Sequence, residues 1–500
     1  MTSTSTSRVH DWRCIASLVT LLSLGGLFSA QAQTLPPRQS AGDIKPAAAP
    51  RWGSSDTPFA STSPWNSRPI APRLGSTPIR TAHFKPTIEA HAWSTGVFVS
   101  SESDRPATVH GATGTNGVWN ADSLTFSDVT FAHWPSRLAP ATGSDGHAEI
   151  IAPAEDIVHS FWRLRREGSR WVAAQYAWSR LSGRGWGDPA HALQGARAAG
   201  VPSLGGLIRK HEVTDGTAHY RHALAVSLDR EMLSPSPGYV FPATSADTDA
   251  PLVNTGAIPL GALMMLPPSF DIGQLQDARL RKVALTLRLY GAYVVDRNEG
   301  TPFVLYAEIG APLNLHESRW NQTAVEDLER MRAALRQVVG ADGWLDGDNR
   351  RITPQSNLNL LSMRGPWHHD QGAALGEFDS PSQSLVFPAQ PIRVKQIKTL
   401  PRMLTPVNWA RPMAGEQLQL TCIASGGARL RLRLSELGSG RVLADSGDLE
   451  NGESYSFSWP KQPIGVAIRA ISGIGQPSRV GGELLRRAPR QPKWPSAKAP

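Results

Sequence analysis

The sequence predicts a mainly β protein: a central β-sandwich or jelly-roll-like domain with a few peripheral helices, followed by a C-terminal immunoglobulin-like β-sandwich. Three observations carry that reading. From Trp93 onward, short segments that alternate apolar and polar residues are separated by Gly, Asn, Asp and Pro, as in strands joined by turns. Only two stretches place apolar residues at helical spacing. After about residue 406 the texture changes to longer, strictly alternating runs.

The chain opens with Arg8 and Arg13 ahead of an apolar run from Cys14 to Ala30, and Ala30-Gln31-Ala32 offers a small-x-small cleavage site. Residues 1–32 are therefore expected to be a signal peptide and the protein to be secreted or periplasmic. The run is interrupted by Ser17, Ser23, Gly25 and Gly26 and is short for a bilayer span, so the mature protein is not expected to be membrane-embedded. Removal of Cys14 leaves Cys422 without a disulfide partner, and stability has to come from burial.

Residues 33–75, rich in Pro, Ser, Ala and Arg, read as a linker ending in a docked arm, with Ser63-Pro-Trp-Asn66 as the docking point. The main β domain is expected over 76–376. Its strands include Gly96–Ser100, Ser123–Ser127, Ala148–Ala152, Ile157–Leu164, Arg170–Trp178 and His222–Leu228, with glycine-rich joints at 183–187 and 204–208. Helices are expected over Ile272–Tyr290 and over Thr323–Val339, the second capped by Thr323 with Glu326 three residues on. A connector over 377–406 should lead to the immunoglobulin-like module at 407–484, where Gln417–Thr421, Arg429–Arg433, Tyr455–Trp459 and Val466–Arg469 alternate. The tail, 485–500, is basic, rich in proline and expected to be disordered.

The formal net charge of +9 falls to +8 once Arg8, Asp11 and Arg13 are removed, which favours an acidic partner. Sixteen tryptophans tilt the partner toward carbohydrate, because indole faces stack on sugar rings as well as filling sandwich cores. A nucleic-acid partner is not expected, since no basic, aromatic-studded platform is present. No cofactor is expected either: the chain has no Gly-x-Ser-x-Gly elbow, Walker loop, Cys-x-x-Cys or dinucleotide fingerprint. For a metal, His211, His219, His222, His368, His369 and Asp370 supply ligand types, but His-Glu-x-x-His is missing, and no metal site is assigned.

Titratable residues concentrate between His147 and Asp296: His147, Glu149, Glu155, Asp156, His159, Arg209, Glu212, His219, His222, Asp247, Asp249 and Asp296. Carboxylates, imidazoles and arginines gathered on strands suit cleavage of a glycosidic bond. Each alone is equally well read as a surface ion pair, a buried histidine or a turn residue.

Leu181-Ser-Gly183, Gly205-Gly-Leu-Ile-Arg209, Glu212, His222-Ala-Leu224, Pro242-Ala243, Asp247 and Tyr290-Gly-Ala-Tyr-Val-Val-Asp296, with the Ser63-Pro-Trp-Asn66 arm, resemble a family of large secreted microbial proteins. The resemblance singles out Arg209, Glu212, His222, Asp247 and Asp296. The chain departs from the pattern at Lys210-His211-Glu212, where the family has a small residue and then the glutamate after Ile-Arg.

The function expected is that of a polysaccharide-cleaving enzyme, glycoside hydrolase or lyase, acting on an extracellular glycan, neutral or acidic. A hydrolase would use Glu212 and Asp296 as its carboxyl pair. A lyase would use Arg209 to neutralise a uronate and His222 or Tyr293 as base. The alternative is a non-catalytic carbohydrate-binding or cell-surface interaction protein.

Overall fold

A computed structural model describes residues 51–487 except 121–124, 189–192, 317–319, 356, 364–366, 372–375, 380–382 and 399–411. The expected signal peptide, residues 33–50 of the linker and the basic tail beyond Arg487 lie outside the described residues. The described chain is mainly β and contains several sheets.

A β-sandwich spans residues 96–180. Its six-stranded sheet runs in the order 96–99, 148–152, 157–162, 175–180, 118–120, 125–127, and its four-stranded sheet in the order 165–167, 170–173, 107–111, 129–131. The faces meet through aromatic rings. Phe131 of the smaller sheet lies 5.4 Å from both Phe161 and Tyr176 of the larger. The strand Ala148–Ala152 is buried at every position, because the larger sheet is covered on both faces. Ile150 packs inside the sandwich, while Ile151 and Val158 join the core of the next layer.

That next layer is a seven-stranded mixed sheet in the order 73–74, 336–340, 263–265, 292–298, 224–229, 303–306, 87–89. Two of its pairings are parallel, Leu224–Asp229 with Ala292–Asn298 and Phe303–Tyr306 with Thr87–Glu89. Alternation revealed the strands, yet parallel pairing needs a crossover that no local period reports. The crossover contains the helix Ala278–Leu289, whose Leu280, Val283, Ala284 and Leu287 are buried. Gly291 ends that helix with φ +79° and donates to the Thr286 carbonyl, so Tyr290-Gly-Ala-Tyr is a helix stop followed directly by a strand.

Both helices are shorter than expected. Residues 272–274 form a separate 3₁₀ turn, because Asp271 and Asp277 each cap the backbone that follows them. The second helix spans Gln322–Ala334 and is capped by Asn321 accepting from the Ala324 N–H, not by Thr323. Residues Arg336–Gly340, assigned to the helix by their apolar spacing, form a strand paired with 263–265 and 73–74.

The terminal module is a sandwich of two five-stranded sheets, in the orders 368–371, 395–398, 464–471, 429–436, 442–445 and 377–379, 384–387, 478–486, 417–425, 454–458. Leu430, Leu432 and Leu434 point inward, while Arg429 and Arg431 pair outward with Glu450 and Asp445. The boundary at 407 is corrected by this arrangement. Strands at 377–379, 384–387 and 395–398, read as connector because prolines and lysines break their pattern, are edge or inner strands of the sandwich. Leu360, Leu361 and Met363 already belong to its core.

Candidate functional site

The Ser63-Pro-Trp-Asn66 arm is locked in place. Trp65, 1 % exposed, stacks on Trp186 with ring centroids 5.1 Å apart and receives the edge of Tyr293 at 5.5 Å. Ser63 Oγ donates to the Arg184 carbonyl at 2.5 Å, and the Asn66 amide donates to the carbonyls of Pro58 and Ala60 at 3.1 and 2.9 Å. The glycines of Gly205-Gly-Leu-Ile-Arg209 make room for the indole. A Cβ on Gly205 or Gly206 would stand 2.6 or 2.5 Å from the Trp65 ring.

Beneath the arm sit Arg209, Glu212 and His222. Glu212, on the short helix Lys210–Val213, accepts the Arg209 backbone N–H at 2.9 Å, and its Oε2 lies 3.2 Å from His222 Nε2. His222 Nδ1 lies 2.8 Å from the Ala223 carbonyl, so both ring nitrogens face acceptors and the imidazolium is the matching form. Burial pushes the Glu212 carboxyl up, but the His222 charge and the hydrogen bonds outweigh it and hold Glu212 below the usual value. Burial works against the His222 charge in the same way, and Glu212 outweighs it, holding His222 above the usual imidazole value. The Arg209 guanidinium is occupied, donating from Nε to Glu308 at 2.9 Å and from Nη1 to the Ser55 carbonyl at 2.8 Å. Arm residues Trp52, Phe59 and Trp65 roof a cavity of about 40 Å³, room for a few waters rather than a sugar.

Asp247 and Asp296 lie elsewhere, in an open cleft of about 560 Å³ between the first sandwich and the mixed sheet. A β-bulge between Val294 and Asp296 breaks the register with Leu224–Asp229 just before Asp296. Asp296 Oδ2 lies 3.2 Å from Arg197 Nη1, and Asp247 Oδ2 lies 3.8 Å from Arg297 Nε. Burial raises the Asp296 carboxyl to about 6, with Arg197 opposing and the charges of Asp247 and Asp145 adding to the rise. Burial raises Asp247 as well, while Arg297 draws it back. From the sandwich side the cleft receives Asp145, which accepts the Trp162 indole N–H at 3.1 Å, together with His147. Burial pushes His147 down to about 4. Behind the cleft, Glu149 accepts from Ser160 Oγ at 2.7 Å and from the Ser203 N–H at 2.8 Å, and burial pushes it up to about 8.

Tyr293 belongs to neither group. It borders a third cavity of about 330 Å³ with Arg184, Phe241 and Trp344, and burial raises its phenol. The expected carboxyl pair of Glu212 and Asp296 is thus divided between two cavities. Of the lyase residues, Arg209 and His222 share the covered pocket, whereas Tyr293, the alternative base, borders another cavity. Of the residues weighed for metal, His222 pairs with Glu212 and His219 stacks on Tyr290 at 6.0 Å; the side chains of His369 and Asp370 lie outside the described part.

Comparisons with known proteins name no family. No family model matches the chain, and no curated protein matches it. Among solved structures it is similar over about a quarter of its length to three of small size. Accessory secretory protein 1, 2 and 3 of Streptococcus pneumoniae matches at 11 % identity, covering 27 % of this chain and 99 % of that one, with a TM-score of 0.20. A Streptococcus pneumoniae fucose-binding module matches at 15 % identity, 27 % and 100 % coverage and a TM-score of 0.15. TmCBM61 in complex with β-1,4-galactotriose matches at 13 % identity, 24 % and 89 % coverage and a TM-score of 0.17. Scores this low leave the site's own geometry to carry the functional argument.

Asp145, Trp162 and Arg197 were missed as site residues. Asp145 lies two residues before the noted His147, a turn aspartate with no motif of its own. Arg197 sits in an Ala- and Gly-rich stretch, and its side chain is only 1 % exposed, with Cζ 3.7 Å from the centroid of the Tyr306 ring.

Proposed function

We propose that the protein is a secreted glycan-binding hydrolase whose reaction takes place in the open cleft, with Asp296 as acid and Asp247 as the second carboxylate. The observation that supports this reading is the convergence of Asp145, Asp247 and Asp296 on one sugar-sized cleft beside the half-exposed Trp162. Asp296, held near 6, keeps a proton to give at mildly acidic pH. It protonates the glycosidic oxygen as the C1–O bond breaks. Asp247, raised by burial with Arg297 opposing, acts in its ionised form and removes a proton from the water whose oxygen takes the vacated place on C1. Elimination is supported less well, because Arg209 and His222, the residues it would need, are engaged with Glu308 and Glu212.

The test is incubation with a panel of neutral and acidic polysaccharides, reading new reducing ends and ultraviolet absorbance. Asp296→Asn is expected to lower the rate by about 10²–10⁴-fold with the melting temperature retained. Since Asp296 acts in its protonated form, activity should fall as pH rises through about 6. Full activity in Asp296→Asn, or an unsaturated product absorbing in the ultraviolet, overturns the assignment.

A further inference from the structure

A fourth cavity, of about 500 Å³, lies against the open cleft, and its lining is basic where the cleft is acidic. Arg163, Arg165 and Arg166 border it, with Gly146 and Trp171. The two cavities share a wall. The Arg163 N–H donates to the Asp145 carbonyl at 2.6 Å and the Leu164 N–H to the Gly146 carbonyl at 3.1 Å, so Asp145 and Trp162 face the cleft while Arg163 and Gly146 border the groove. The wall is thin because residue 146 is glycine. A Cβ there would stand 2.9 Å from the Leu164 carbonyl oxygen.

Two of the guanidinium groups lie over indole rings. Arg163 Cζ lies 4.3 Å from the centroid of the Trp162 ring, and Arg166 Cζ lies 4.4 Å from that of Trp171. Arg165 is neutralised by Glu167 of the same hairpin at 2.5 Å. Among the described residues, neither Arg163 nor Arg166 is ion-paired to a carboxylate. A stacked guanidinium has already lost much of its rotamer freedom and keeps its N–H edge free for two parallel bonds to a planar or tetrahedral anion. Trp162 links the cavities: one side of the wall carries its contact with Asp145, and its ring carries Arg163.

We propose that this groove is a subsite for an acidic glycan, in which Arg163 and Arg166 hold carboxylate or sulfate groups of a chain that continues over the Trp162 ridge into the cleft. The inference rests on the cleft being a glycan site and adds the substrate class. A neutral chain would gain nothing from the two unpaired charges, whereas a polymer with an anion on each sugar gains at several positions at once.

The experiment measures binding by the full chain, without requiring cleavage, to polygalacturonate, chondroitin sulfate, a neutral β-glucan and double-stranded DNA at several salt concentrations. The expected result is binding to one of the acidic glycans that weakens with salt, the carboxylated and the sulfated polymer distinguishing the two anions. Arg163→Gln with Arg166→Gln should weaken it by about tenfold or more and flatten the salt dependence, with the melting temperature kept since both side chains are exposed. Arg163→Lys with Arg166→Lys should recover part of the loss. Binding is measured without cleavage, and cleavage of the same polymers by the double glutamine variant is measured beside it, so failure of cleavage and failure of the groove are read separately. Equal binding of the neutral glucan or of DNA, or acidic-glycan binding untouched by the double glutamine variant, overturns the proposal.

Discussion

The covered pocket around Glu212 and the open cleft around Asp296 are built from the same kinds of residue, carboxylates facing arginines and imidazoles beside a tryptophan, yet they are suited to different work. In the pocket the buried charged groups are paired, Glu212 to His222 and Arg209 to Glu308, with Trp65 sealed above them. In the cleft three carboxylates share two arginines, Arg197 beside Asp296 and Arg297 beside Asp247, and burial holds Asp296 and Asp247 above their ordinary values. Matched charges under a roof serve a fold, and carboxylates in excess beside solvent serve a reaction. The arm decides which is which.

The contrast between the tryptophans gives the largest expected effect. Trp65→Ala removes an indole that is 1 % exposed and packed on Trp186, Tyr293 and the backbone of Gly205 and Gly206. It should destabilise the protein by about 3–5 kcal/mol, read as a lower denaturation midpoint. Trp162→Ala, at the half-exposed ridge, should cost less than about 1 kcal/mol and act instead on glycan binding. Equal stability losses at the two sites would erase the distinction between roof and ridge.

A smaller effect separates two glycines that share a backbone conformation. Gly206, at φ +68°, would place a Cβ 2.5 Å from the Trp65 ring and 2.6 Å from the Ala225 nitrogen, whereas Gly168, at φ +63°, has nothing within 4 Å. Gly206→Ala should cost about 1–3 kcal/mol through overpacking in addition to the backbone strain. Gly168→Ala should show only the strain of a left-handed alanine, about 1 kcal/mol. Matching melting temperatures for the two variants would mean that the arm yields easily.

These particulars show which parts of the molecule were legible in the sequence. Strict alternation at Arg429–Arg433 revealed the terminal sandwich because one face is buried and the other wet. The strand Ala148–Ala152 was found although its burial is two-sided, whereas Arg336–Gly340 was absorbed into a helix because a short apolar run fits either period. Glycine pairs and an aromatic arm could each be noted. Their meaning, an indole resting on bare backbone, depends on residues some 140 positions apart along the chain. The same limit divided the site. Asp296 and Asp247 were singled out, but their partner Asp145 arrives from a different sheet, and Glu212, the carboxyl paired with Asp296 on sequence grounds, lies in another cavity.

The smallest expected effect concerns the Glu212–His222 pair, and its sign as pH changes tests whether the pocket is structural. His222 is held above its ordinary 6.5, so its contribution is complete below 6.5 and is lost as pH rises through its folded value. Glu212 is held below its ordinary 4.5, so its contribution is complete above 4.5 and is lost as pH falls through its folded value. Both hold together between about 4.5 and 6.5, the window in which the pair stabilises most. Glu212→Gln removes the charge that supports the imidazolium and leaves burial to disfavour it. The variant should therefore fall furthest below the unaltered protein in that window, by about 1–3 kcal/mol, and approach it as pH rises through the folded value of the histidine. Melting curves of both proteins from pH 4 to 9 measure the gap directly. A gap that widens toward alkaline pH would show that Glu212 does not act through His222. Loss of glycan cleavage in Glu212→Gln at unchanged stability would move the chemistry back beneath the arm.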